Sequence, residues 1–134
     1  MSFRYKSALL TLVSLVSIYA YYFVRVAIGV PQADAVWLLI EVAIAIVIVQ
    51  VAGLVMITVT SSDRYGPMDE RERAIDQRAT VIGYYLLVVS TLCAAATAHL
   101  GSGKATMANA ILLAIVVSEC VRQVVFLSLH HRAN

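Results

Sequence analysis

Residues 37–58 read WLLIEVAIAIVIVQVAGLVMIT. In a water-soluble protein the β-branched run VAIAIVIVQV within it would suggest a strand. Length overrides that propensity. A helix over these residues covers roughly 33 Å at 1.5 Å per residue, enough for the roughly 30 Å hydrocarbon layer of a bilayer. An unpaired strand in lipid would leave its backbone polar groups without partners. The stretch is therefore a membrane span. Two polar residues interrupt it, Glu41 about one turn inside its start and Gln50 deeper.

Working outward, three more segments of the same kind appear. Residues 8–28 form the first span, preceded by Arg4 and Lys6 and carrying Tyr19, Tyr21, Tyr22 and Phe23 toward its end. A cleavable signal peptide has a shorter apolar region that closes on small residues, so an uncleaved helix is expected. Gly29, Pro31 and Asp34 supply the turn into the second span. Residues 79–100 form the third and 105–129 the fourth, joined by a tight turn at Gly101, Ser102, Gly103 and Lys104. Small residues recur every fourth position as Ser90/Ala94/Ala98, Cys93/Thr97/Gly101 and Ala110/Ala114/Ser118. Lipid gives helices no hydrophobic reason to associate, and such stripes let backbones approach closely.

The composition agrees. Of 134 residues 61% are hydrophobic and 13% charged, with a mean hydropathy of +0.86. An ordinary globule has roughly 45–50% apolar residues, so this chain belongs with polytopic membrane proteins. A net charge of +2 gives no nucleic-acid footprint. Cys93 and Cys120 belong to no CxxC pair or metal-ligand spacing. They read as small packing residues, on different leaflets and too far apart for a disulfide.

Between the second and third spans lies the one long polar passage, Ser61–Thr80, SSDRYGPMDERERAIDQRAT, with nine charged residues. It must sit in water. After Gly66 and Pro67, Asp69 followed by Glu72 has the form of a capping box. A helix should begin there and run unbroken into the third span, with Met68, Ile75, Ala79 and Ile82 on one face. Seven basic residues (Arg4, Lys6, Arg64, Arg71, Arg73, Arg78 and Arg132) then share a side with both termini, against Arg25 and Lys104 opposite. The positive-inside rule puts the first group in the cytoplasm of a cell with an inner (plasma) membrane. The expected fold is an all-α, integral membrane four-helix bundle. It consists of two antiparallel hairpins joined by a cytoplasmic charged loop (61–78), with a short helical extension of span three.

Ionisable groups inside spans are costly and are the first candidates for function. At comparable depth on the inner side lie Gln50, Tyr84 (or Tyr85), Glu119, Arg122 and Gln123. Glu119 and Arg122, at i and i+3, share a helix face and can neutralise each other. This group reads either as a structural clasp or as a proton-coupled or ligand site. On the outer side Arg25, Glu41 and His99 form a second cluster, near enough to the interface to reach water. In the charged passage Asp69, Glu70, Arg71, Glu72, Arg73, Asp76 and Arg78 form a candidate docking surface for a cytoplasmic partner or anionic headgroups. The arginines alternate with Asp69, Glu72 and Asp76 and neutralise them, so no metal is expected. Terminal His130 and His131 read as an interfacial tail.

Signatures of hydrolases, zinc proteases, P-loop enzymes and dithiol redox proteins are absent from the sequence, so neither an enzyme nor a cofactor is expected. The motif Asp69-Glu70-Arg71-Glu72 with Ile75 ahead of span three, and a polar last helix carrying Glu119, Arg122, His131 and Arg132, resemble a family. Its members are small prokaryotic integral membrane proteins of four spans and unknown function. The resemblance covers the second half of the chain and implies the four-span fold without implying an activity. Two readings of function follow. One is a non-enzymatic membrane protein that works through a cytoplasmic partner in a regulatory, immunity-like or scaffolding role. The other is an oligomeric small transporter or channel with Gln50, Glu119 and Arg122 at its lumen. Self-association through the small-residue stripes fits either.

Overall fold

The computed structural model describes residues 3–29, 31–60, 69–101 and 103–133. The fold is all-α. In chain order the helices are α1 (Phe3–Ile28), α2 (Gln32–Thr60), α3 (Glu70–Ala96) and α4 (Lys104–Ala133), with a 3-10 turn at Thr97–Leu100 between the last two. Each of the four is long and apolar enough to cross a membrane. The chain is a multi-pass membrane protein by that measure. It divides into two compact units, Met1–Pro67 and Met68–Asn134, each an antiparallel helical hairpin.

In the first hairpin the turn is made by Gly29 at φ 96°, a left-handed conformation that a side chain would strain. Pro31 follows, and its carbonyl accepts from the Asp34 N–H at 2.9 Å as α2 begins. The seam of α1 repeats every seven residues through Ala8, Leu15 and Tyr22, all buried, with Ser14 beside them. That spacing keeps one face on the neighbour, as in a left-handed helix pair. The α2 side contributes buried Leu38 and Val42. Only 6% of the most apolar window of α2 is buried. Exposed apolar surface on that scale would be untenable in water and is ordinary against hydrocarbon.

The second hairpin closes through smaller groups. Ile75, Ala79, Gly83 and Ala94 of α3 are buried, as are Ala114, Val116, Ser118, Gln123 and Phe126 of α4. A Cβ built on Gly83 would stand 3.0 Å from Arg122 Cβ and 3.4 Å from the Ser118 carbonyl oxygen. The absence of a side chain is what allows the two backbones their approach. Of the expected stripes, Ala94 and Ala114/Ser118 face the partner helix, whereas Cys93 and Gly101 point outward. Both cysteines are free.

Local details depart from the sequence expectation. Helix α3 does start at Glu70 and run unbroken toward span three, with Asp69 as its extended N-cap residue, but the Asp69 side chain makes no capping hydrogen bond. The backbone alone closes the first turn, Arg73 N–H to Asp69 C=O at 2.9 Å. The buried face continues from Ile75 and Ala79 to Gly83, whereas Ile82 is 46% exposed. Four-residue steps keep Gly83 toward α4, and Ile82 falls a hundred degrees or so to one side. At its far end α3 gives way to the tighter 3-10 turn, where the Thr97 hydroxyl donates to the Ala94 carbonyl. The expectations for Gly66, Pro67 and Met68 fall outside the described residues.

Candidate functional site

A charged polar group is built on one face of α4. Helical spacing puts Arg122 and Gln123 three and four residues beyond Glu119, so both bend back over the same turn. The Arg122 guanidinium donates from Nε to Glu119 Oε1 and Oε2 at 3.2 and 3.0 Å, and from Nη2 to Oε1 at 2.7 Å. Gln123 Nε2 donates to the same Oε1 at 2.8 Å. Across the hairpin, Asp76 of α3 brings Oδ1 to 3.9 Å from Arg122 Nη1. The stem of Arg122 lies over Gly83, which leaves room for its Cβ and Cγ. One guanidinium thus lies between a carboxylate of its own helix and one of its neighbour.

The chemistry of this arrangement is that of a clasp. Glu119 Oε1 accepts from three N–H groups, more than its two lone pairs comfortably serve, and Oε2 accepts a fourth contact. The contacts concentrate on Oε1, while Oε2 shares the Arg122 Nε–H with it, so the carboxylate is held against the guanidinium edge. An ion pair at membrane depth is tolerable when its charges and hydrogen bonds are met internally. The Glu119 and Arg122 side chains keep 33% exposure each and Asp76 keeps 42%.

Gln50 and Tyr84, expected at the same depth, each lie within their own hairpin. Gln50 makes a neutral network in the first hairpin. Its Nε2 donates to Ser14 Oγ at 2.9 Å, its Oε1 accepts from Thr11 Oγ1 at 3.2 Å, and Ser14 Oγ in turn donates to the Thr11 carbonyl at 3.1 Å. An amide in an apolar span takes the nearest hydroxyls, and α1 supplies two of them. Tyr84 is 60% exposed and meets Tyr85 edge to face, with ring centroids 5.8 Å apart, away from the buried face marked by Gly83.

Asp76 moves from the charged passage into the clasp. Six residues beyond Glu70, it brings a carboxylate of α3 to Arg122 of α4. Counting back from the 101–103 turn sets 82 opposite 122 and 76 opposite 128, so register alone does not pair them; Asp76 lies on the Gly83 face two turns away, and the long Arg122 side chain spans the difference. Asp69, Glu70, Arg71, Arg73 and Arg78 are exposed, and Glu72 is half-buried.

At the turn of the first hairpin, Arg25, Gly29, Asp34, Trp37, Leu38 and Glu41 line a cleft of about 510 Å³. Arg25 and Glu41, two of the three residues of the outer cluster, therefore border one space. His99 falls in the 3-10 turn of the second hairpin, and its side chain lies outside the described part of the structure. Among the described residues no group of three or more His, Cys, Asp and Glu is disposed to hold a metal ion. Comparison with known proteins finds no matching family model, no matching curated protein and no matching solved structure.

Proposed function

We propose that this chain is a non-enzymatic protein of a prokaryotic plasma membrane, both termini cytoplasmic, that presents the first turns of α3 to a cytoplasmic protein partner in a regulatory, immunity-like or scaffolding role. One observation carries the reading. Along α3, Arg71, Arg73 and Arg78 are exposed while Asp76 turns in to Arg122, so the outward face keeps its arginines and gives up part of its negative charge. Arginine is the residue best suited to paired recognition of carboxylates on a partner. The clasp below it supports the same reading, since it ties the presenting helix to α4 and holds that face in one orientation.

A photo-crosslinking amino acid at residue 74, on the exposed side between these arginines, tests it in cells. A discrete protein adduct is expected, lost when Arg71, Arg73 and Arg78 are all changed to Glu and absent when the probe stands at Tyr84. An adduct indifferent to the charge reversal would overturn the proposal. So would proton or solute flux in proteoliposomes that disappears in Glu119→Gln, which is the signature of the transporter reading.

A further inference from the structure

We propose that the cleft at the α1–α2 turn binds a small zwitterion, an ammonium group joined through a short link to a singly charged phosphate ester. Three charged side chains line this cleft, Arg25, Asp34 and Glu41. None of them makes a side-chain hydrogen bond or ion pair with any described residue. That contrasts with Arg122, which is paired with Glu119 at 2.7 Å and faces Asp76 at 3.9 Å. Charges of both signs that share a cleft without closing on each other offer a divided site, negative on one wall and positive on another.

Each wall has a definite chemistry. Asp34 and Glu41 are two carboxylates, and Trp37 adds an indole, the ring that attracts an ammonium group most strongly. Arg25 offers a planar guanidinium, matched to the two free oxygens of a phosphodiester. Leu38, itself buried, supplies apolar surface for the link between them. A metal cation would make no use of Arg25 or Trp37, and an inorganic anion would be repelled by two carboxylates. Placement adds to the case: the cleft lies where two membrane-length helices meet in a turn, the level of lipid headgroups. Glu41 stands one turn inside the membrane-length stretch Trp37–Thr60, where an unpaired carboxylate is costly and a bound ammonium would relieve it. The zwitterion has two natural sources, the headgroup of a phosphoethanolamine lipid and the same group free in solution.

The full chain, taken from bilayers of equal phosphatidylethanolamine and phosphatidylglycerol, is examined by native mass spectrometry. In parallel its thermal unfolding is followed with glycerophosphoethanolamine added. Retention of phosphatidylethanolamine about tenfold over phosphatidylglycerol is expected for one well-made charge-assisted contact, falling to parity in Asp34→Asn and in Glu41→Gln and kept in Glu41→Asp. A rise in unfolding temperature with glycerophosphoethanolamine, without lipid preference, identifies the free molecule as the source and is abolished by the same variants. Equal retention of both lipids with no thermal shift overturns the proposal, as does a preference indifferent to Asp34→Asn. Should Glu41→Gln not fold, Trp37→Leu at its exposed position serves in its place and is expected to lose at least half the preference.

Discussion

The two hairpins solve one problem with different materials. In the first, an amide and two hydroxyls (Gln50, Thr11 and Ser14) meet across a seam of larger side chains, Leu15 and Tyr22. In the second, a guanidinium and two carboxylates meet across a seam of Ala79, Gly83, Ala114 and Ser118. A neutral clasp loses little when one member is removed, because the remaining hydroxyls can turn to nearby backbone carbonyls. A charged clasp cannot fail so gently, since removing the one cation leaves two half-buried anions, Asp76 and Glu119, without their partner. The second hairpin should therefore be the more sensitive to single substitutions.

Arg122→Leu provides the largest test of that contrast. Breaking a fully buried pair costs roughly 3–5 kcal/mol; with about a third of the side chains exposed, a loss of about 2 kcal/mol is expected in reversible unfolding from detergent. Asp76→Asn, Glu119→Gln and Arg122→Gln combined should recover most of it, because no uncompensated charge then remains. Recovery of less than half would mean that charge is not what holds α3 to α4.

Glycine substitution separates the seams more finely. Gly83→Ala sets a methyl against the Arg122 stem and the Ser118 backbone, and overpacking of that kind costs about 1–3 kcal/mol. Gly53→Ala meets the isobutyl end of Leu10, which can rotate aside, so a smaller loss is expected in the same unfolding assay. Gln50→Leu should cost about 0.6 kcal/mol, the usual worth of a side-chain hydrogen bond between membrane helices. At the bottom of the scale, Arg71→Gln and Arg73→Gln, both exposed, should change stability by less than about 0.5 kcal/mol, leaving their effect on crosslinking at residue 74 free of folding artefacts.

Some of the site could be read along the chain and some could not. Glu119, Arg122 and Gln123 share one helical turn, and any helix carrying them in that order brings them together. Depth along a span, which sets Gln50 and Tyr84 at the level of Glu119, says nothing about which way a side chain faces. Within the hairpins Gln50 meets the hydroxyls of α1 and Tyr84 is exposed. Asp76 shows the converse, a charge that reads as solvated in sequence and reaches Arg122 because Gly83 lets the two helices close up.

Four apolar runs, each long enough for a bilayer, sufficed to establish an all-α chain, because transfer into lipid is a sum over residues and needs no knowledge of neighbours. Which faces meet is a different kind of quantity. It depends on the close approach at Gly83 and Ser118, on the seven-residue seam of α1, and on which hydroxyl or carboxylate lies within hydrogen-bonding reach. Those are relations between residues far apart in the chain, and only the folded hairpins decided them.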